Sequence, residues 1–159
     1  MMAEALVEAQ RGLEAGELPI GAVVALGDSM LARAHWRYDG RRLVVHPELL
    51  ALCAAEGEHD LRRRRSGATL YTTLEPCLLC MGAAMTFLVG RVVFALESPT
   101  DCATAVGGVW DPAACSVAPY RRPAVTSGVR RDESARLVRE FLHREPASPF
   151  AAWAQTLPV

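Results

Sequence analysis

Lysine and asparagine are both absent from this chain of 159 residues. All 17 basic residues are therefore arginine, so a lysine Schiff base and the phosphate-gripping lysine of a P-loop are excluded. No apolar run is long enough to span a bilayer: the longest uncharged one, residues 77–90, has 14 residues and stops at Arg91. A basic leader with a small-residue cleavage site is missing at the start, where Glu4 and Glu8 stand instead, so a secretory signal is not expected and the reading is cytoplasmic. The five cysteines are odd in number and widely spread, which fits reduced thiols better than a disulfide framework. The broad positive footprint of a dedicated nucleic-acid binder is lacking as well, because the formal net charge is -1. One local run, residues 62–65, is all arginine and serves either as a solvated helix end or loop or as a phosphate contact. It would favour an RNA substrate if its side chains bordered the reaction site.

What is present is an ordinary globular composition, 51% apolar and 22% charged, and the expectation is one domain over residues 1–159. Ala5, Leu6, Ala9 and Leu13 recur at helical spacing and predict a helix over 3–14. Residues 20–26 and 30–34 flank the turn signal Gly27-Asp28-Ser29 and predict a hairpin. Residues 47–56 read as a helix opened by Pro47, 67–73 as a buried strand, 77–88 as a third helix and 91–96 as a strand. Residues 97–123 hold four prolines and are placed as an irregular connection, with one short helix after Asp111. A last strand over 124–129, a helix over 132–143 and a short helix over 148–157 complete the order. Strands alternating with helices after an opening hairpin predict an α/β fold, a three-layer α/β/α sandwich on a mixed sheet of about five strands.

Two predicted helix starts carry the chemistry. Cys77 and Cys80 are three residues apart, neighbours on one helix face, and a thiolate pair at this spacing suits zinc. His46 and Glu48 are two apart and would diverge on a regular helix. Pro47 resolves this, because a proline at the first helical position pushes His46 into an extended conformation while Glu48 falls in the first turn. His46, Cys77 and Cys80 are thus the predicted metal ligands, with the fourth position left to water. Cys53 lies too far along its helix to join them, whereas spacing leaves Cys102 and Cys115 open.

The order His46, Glu48, Pro76, Cys77, Cys80 is the H-x-E…P-C-x-x-C signature of zinc deaminases. With LYTTLEPC at 70–77, CMGA at 80–83 and ELPIGAVV at 17–24, the chain resembles the zinc-dependent cytidine deaminase superfamily, within it the branch of tRNA adenosine, guanine and cytosine deaminases. The resemblance covers roughly residues 1–143 and is strongest to bacterial tRNA adenosine deaminases. It implies one Zn2+ per chain, hydrolytic loss of a ring amino group as ammonia, and Glu48 as the catalytic residue that moves a proton to the ring nitrogen and then to the leaving amine. It also implies a homodimer, through the apolar third helix.

Departures from the family pattern shape the substrate expectation. The family commonly holds the base or ribose with an asparagine after the second strand, and here His35, Trp36 and Arg37 occupy that stretch. His35 stands in for the asparagine or is a plain strand-end histidine; Trp36 and Glu75 are further candidate substrate contacts. Pro47 has no backbone N–H to offer a pyrimidine carbonyl, which argues against cytosine. Trp110 and Trp153 either stack on a base or pack the core or a dimer contact, and in guanine deaminases of the family a C-terminal segment can close over an active site, here residues 144–159. The first expectation is a free aminopurine nucleoside or base, adenosine-like before guanine-like. The alternatives are adenosine in a tRNA anticodon loop, a cytosine or cytidine-type substrate, and a non-catalytic zinc-binding partner subunit.

Overall fold

The computed structural model describes residues 1–61, 63–104 and 121–159. Helix α1 (Met2–Glu14) turns the Ala5, Leu6, Ala9 and Leu13 stripe inward. The hairpin follows as β1 (Gly21–Leu26) and β2 (Ser29–His35), turning at Gly27, whose φ of 59° is the left-handed region that favours glycine. Next come α2 (Pro47–Glu58), a single 3-10 turn at Arg65–Gly67, β3 (Ala68–Leu74), α3 (Leu78–Phe87), β4 (Arg91–Leu96) and β5 (Ala124–Thr126). Helices α4 (Arg131–Arg144) and α5 (Ala151–Ala154) close the described order.

The five strands form one sheet in the order β2-β1-β3-β4-β5. β1 is antiparallel to both β2 and β3, whereas β3, β4 and β5 run parallel, so the sheet is mixed as expected. Both faces are covered. α1, α4 and α5 pack on one side around Val23, Leu137 and Phe141, and α2 and α3 pack on the other around Val24, Leu70 and Val92. Burial on both faces is why β1 and β4 read as unbroken apolar runs rather than alternating ones. The edge strands are the exceptions: β2 has mostly polar or half-exposed positions, and β5 is exposed throughout.

Three predicted boundaries shift for identifiable reasons. Helix α3 begins at Leu78 because Cys77 is extended (φ -71°, ψ 175°) and acts as the cap. The last strand stops at Thr126, since Gly128 at φ 75° turns the chain toward α4 and only Val129 N–H still reaches the Phe94 carbonyl. The helix expected over 148–157 shrinks to Ala151–Ala154, with i to i+3 bonds from Thr156 and Leu157 replacing the helical ladder. The short helix expected after Asp111, together with Trp110 and Cys115, lies outside the described residues. No helix among the described residues is long and apolar enough to cross a membrane.

Close approach between layers depends on Gly21, where a Cβ would stand 2.1 Å from the Ala5 carbonyl oxygen and 2.5 Å from the Ala9 nitrogen. α1 would have to lift off β1 to admit it. Gly57, in α2, faces open space. Urea denaturation of Gly21→Ala is expected to register a loss of about 3 kcal/mol from overpacking. Gly57→Ala is expected to gain about 0.5–1 kcal/mol from the stiffer unfolded chain.

Candidate active site and metal centre

The site forms where α2 and α3 begin. His46 caps α2 in an extended conformation (φ -80°, ψ 148°) and Pro47 opens the helix, so His46 and Glu48 converge as the sequence predicts. His46 Nδ1 lies 3.5 Å from Cys77 Sγ and 3.3 Å from Cys80 Sγ. The three ligand atoms all fall within 4.8 Å of one another, and among the described residues this is the one His/Cys/acid cluster able to hold a metal ion. Cys53 is exposed and Cys102 half-buried; neither joins the cluster. A nitrogen and two sulfurs at this separation fit the donor chemistry of zinc.

Glu48 is buried, 4% exposed, beside this group. The Thr72 hydroxyl on β3 donates to Glu48 Oε1 at 2.8 Å, and Cys80 Sγ lies 3.3 Å from Oε2. Burial pushes the Glu48 carboxyl above its ordinary range, against the opposing pull of its own backbone N–H and the Thr72 hydroxyl. For His46, burial works downward, but the hydrogen bond to Cys77 and the charge of Glu48 outweigh it and the net shift is upward. The thiols split apart. Cys80 donates to Cys77, which with His46 draws Cys77 down to about 4, while the same bond, burial and the Glu48 charge push Cys80 up.

A pocket of about 240 Å³ opens onto the group, with His46, Glu48 and Cys77 reaching it and Trp36, Phe150 and Trp153 contributing aromatic wall. Trp36 packs on His46 with ring centroids 4.8 Å apart, and Phe150 meets Trp36 edge-on at 5.6 Å and Tyr38 at 4.9 Å. Of the expected substrate contacts, Trp36, Glu75 and Trp153 line the pocket.

His35 is not brought there. It points toward α1, its Nδ1 2.9 Å from the buried Glu8 carboxylate, and Arg37 Nε donates to its Nε2 at 3.3 Å, so both ring nitrogens are engaged. Its place is thus against Glu8 of α1 and not on the pocket wall. Alternation along β2 explains this, because His35 falls on the face that carries Arg33 toward Glu8. Glu75 is also occupied: Ser98 N–H donates to its Oε2 at 3.1 Å and the Thr104 hydroxyl donates to Oε1, so it anchors the loop after β4. Asp101, whose carboxylate accepts from Ser98 Oγ, lines the pocket and was not anticipated. Its position in an irregular connection offers no periodicity to flag it. The described arginines of the 62–65 run do not border this pocket.

The depressed Cys77 thiol gives a direct check. After chelation, alkylation of Cys77 by iodoacetamide, followed by peptide mass spectrometry, is expected to proceed almost independently of pH from about 5.5 to 8. An ordinary thiol, with a pKa near 8.5, would gain roughly tenfold per unit over that window. Added zinc is expected to protect it.

Comparison with known proteins agrees with this geometry. The family model for the cytidine and deoxycytidylate deaminase zinc-binding region matches residues 1–96. A tRNA-specific adenosine deaminase of Bacillus subtilis is 43% identical over 102 residues, which is 62% of this chain and 61% of the relative. A tRNA(Ile)-lysidine synthase of Deinococcus radiodurans is 41% identical over 145 residues, 87% of this chain but 23% of the relative. The chain thus spans less than two thirds of either curated relative. A solved structure from work on A-to-I editing by tRNA:A34 deaminases superimposes with a TM-score of 0.68 at 35% identity, covering 86% of this chain and 96% of that one. A guanine deaminase from Nitrosomonas europaea gives 0.68 at 29% identity, covering 88% and 81%. With the family match extending over more than half its length and ending at the last residue of β4, this chain belongs to the zinc-binding cytidine and deoxycytidylate deaminase family.

Proposed function

We propose that the chain is a zinc-dependent hydrolytic deaminase that removes the amino group of a purine, and that its substrate is adenosine within tRNA. The observation that carries the chemistry is Glu48, buried and steadied by Thr72 beside His46, Cys77 and Cys80 where an aromatic-walled pocket meets them. In this reading His46, Cys77 and Cys80 are the zinc ligands and Glu48 is the catalytic residue.

Zinc held by these three residues supplies the Lewis acidity that makes water nucleophilic near neutral pH. Glu48 takes the proton of the attacking water as the new C–O bond forms, and delivers it to the ring nitrogen. It then takes the second proton, from the newly added hydroxyl as that oxygen becomes the carbonyl, and gives it to the amino group, which leaves as ammonia when the C–N bond breaks. Thr72 occupies one Glu48 oxygen and leaves the other turned toward the ligand group. Trp36, Phe150 and Trp153 offer flat apolar faces to a heterocycle, and Pro47 withholds the N–H that a cytosine carbonyl would need.

The sequence alone ranks a free aminopurine first. The relatives support the tRNA reading better, because the Bacillus protein is a tRNA-specific adenosine deaminase and the Deinococcus one also bears a tRNA activity in its name. A free base stands second, on one observation: Phe150 and Trp153, from the segment after α4, wall the pocket as a cover would. This reading includes a homodimer, for which the exposed Leu78 and Leu79 on α3 supply apolar surface, and a cytoplasmic setting.

Ammonia release from adenosine, adenine, guanosine, guanine, cytidine, cytosine and an anticodon stem-loop RNA decides among these. Turnover confined to the RNA is expected; turnover of a free purine alone would replace the first reading with the second. Glu48→Ala is expected to retain one equivalent of zinc and lose about 10²–10⁴-fold in kcat. A Glu48→Ala protein that turned over at the wild-type rate would sink the mechanism. Cys80→Ala is expected to lose the metal on elemental analysis.

A further inference from the structure

A second concavity shares no lining residue with the catalytic pocket. Its volume is about 450 Å³, and Arg63, Arg65, Arg121 and Arg122 line it together with Ser66 and the turn Leu88 to Gly90. The arginines come from two segments remote in sequence, one entering β3 and the other entering β5. Arg65 is a fixed wall, its Nη1 2.6 Å from Glu56 Oε1 and its guanidinium 5.0 Å over the Phe87 ring. Arg63 and Arg121 differ. Both are exposed, and neither has an ion pair or hydrogen-bond partner among the described residues.

In a chain of net charge -1, this concavity brings Arg63 and Arg121, two exposed guanidinium groups without an ion-pair or hydrogen-bond partner among the described residues, to the same wall as Arg65 and Arg122. No contact within the described fold depends on Arg63 or Arg121. Guanidinium forks match phosphate oxygens in bidentate pairs, which a row of solvated arginines on a convex surface does not arrange. Location narrows the ligand. The cleft lies at the starts of the parallel strands, whereas the zinc-ligand group lies past the end of β3. The 7 residues of β3 separate the two by about 20 Å at roughly 3.3 Å per residue. A free nucleoside cannot touch both, and a folded RNA can.

We infer that this arginine cleft grips backbone phosphates of an RNA whose reactive base enters the catalytic pocket. The inference rests on the reading of tRNA as substrate and adds a second anchoring surface to it. Phosphate contacts of this kind position the nucleic acid without reading its sequence.

The test measures binding and chemistry separately on the zinc-loaded protein. A labelled tRNA transcript is titrated by fluorescence anisotropy at several salt concentrations with wild type, Arg63→Gln/Arg121→Gln, and the control Arg136→Gln/Arg139→Gln on α4. Inosine formation in the same transcript is read by nucleoside mass spectrometry. Zinc content and thermal midpoint report folding, and the single variant Arg121→Gln is measured in case the double variant fails to fold. The cleft double variant is expected to bind about tenfold or more weakly than wild type, with the slope of log affinity against log salt reduced by about 1.5–2. The control is expected to bind nearly as wild type.

Equal weakening in the two double variants would overturn the cleft, since net charge alone would explain it. Unchanged binding in the cleft variants with inosine still formed would also overturn it while leaving the tRNA reading intact. Binding lost in the cleft variant, with no inosine made by the wild type, would keep the cleft and remove the tRNA reading. No binding by the wild type would overturn both. Inorganic phosphate bound through these arginines in the absence of tRNA binding would overturn the RNA assignment in favour of a small anion.

Discussion

The site depends on one constraint: two helices must start at nearly the same point, each from an extended residue beside a proline. His46 precedes Pro47 and Cys77 follows Pro76, and neither has helical dihedrals. Their side chains therefore swing across the helix ends instead of along the helix faces, and the imidazole meets both sulfurs. The sheet fixes the distance between the two starts. β3 carries Thr72 beneath Glu48 and delivers the chain through Glu75 and Pro76 to Cys77, while Glu75 N–H bonds to the Leu96 carbonyl at the end of β4. Ala103 N–H closes the loop after β4 onto the Pro76 carbonyl, so the second helix start is held from both sides. Rigid backbone on every flank is what a thiolate and imidazole group needs to keep ligand geometry without a metal to impose it.

Much of this arrangement is legible in the residues, because the local rules behind it are strong. The α1 stripe, the Gly27 turn and Pro47 at the first position of α2 each have a short-range physical cause and place their elements as read, whereas the Cys77 to Cys80 spacing brings the two residues together with Cys77 as the cap of α3 and not on its face. The floor of the pocket follows from these. Its walls follow only in part. Trp36, Glu75 and Trp153 are named by the sequence, whereas Asp101 and Phe150 stand outside any periodic pattern and only tertiary packing brings them there. His35 illustrates the same limit from the other direction. Its place at the end of β2 is predictable, but which face of the strand it takes depends on register, and the partner that captures it, Glu8, belongs to a helix 27 residues earlier.

Among the described residues that line the pocket, none carries a side-chain amide. After β2 the chain offers Trp36, packed on His46 and Phe150, with Nε1 buried and without a hydrogen-bond partner among the described residues. The pocket wall is accordingly rich in aromatic faces, with the carboxylates of Glu48, Glu75 and Asp101 as its acidic groups.

The Glu8 cluster has a consequence for how separate molecules meet. β2 is one of the two edges of the sheet, where another chain's strand could add to the exposed backbone, although the Leu31 carbonyl already meets His59 Nε2 at 3.0 Å. Arg33 lies on this strand, its Nε 3.3 Å from the buried Glu8 and its Nη1 3.6 Å from Glu4, and the pairing with β1 slips in register at Val24/Ala25. Charge tethered along the strand and an interrupted pleat both disfavour edge-to-edge addition. The ion pairs that hold α1 against the sheet therefore also guard its β2 edge against joining another chain through backbone hydrogen bonds.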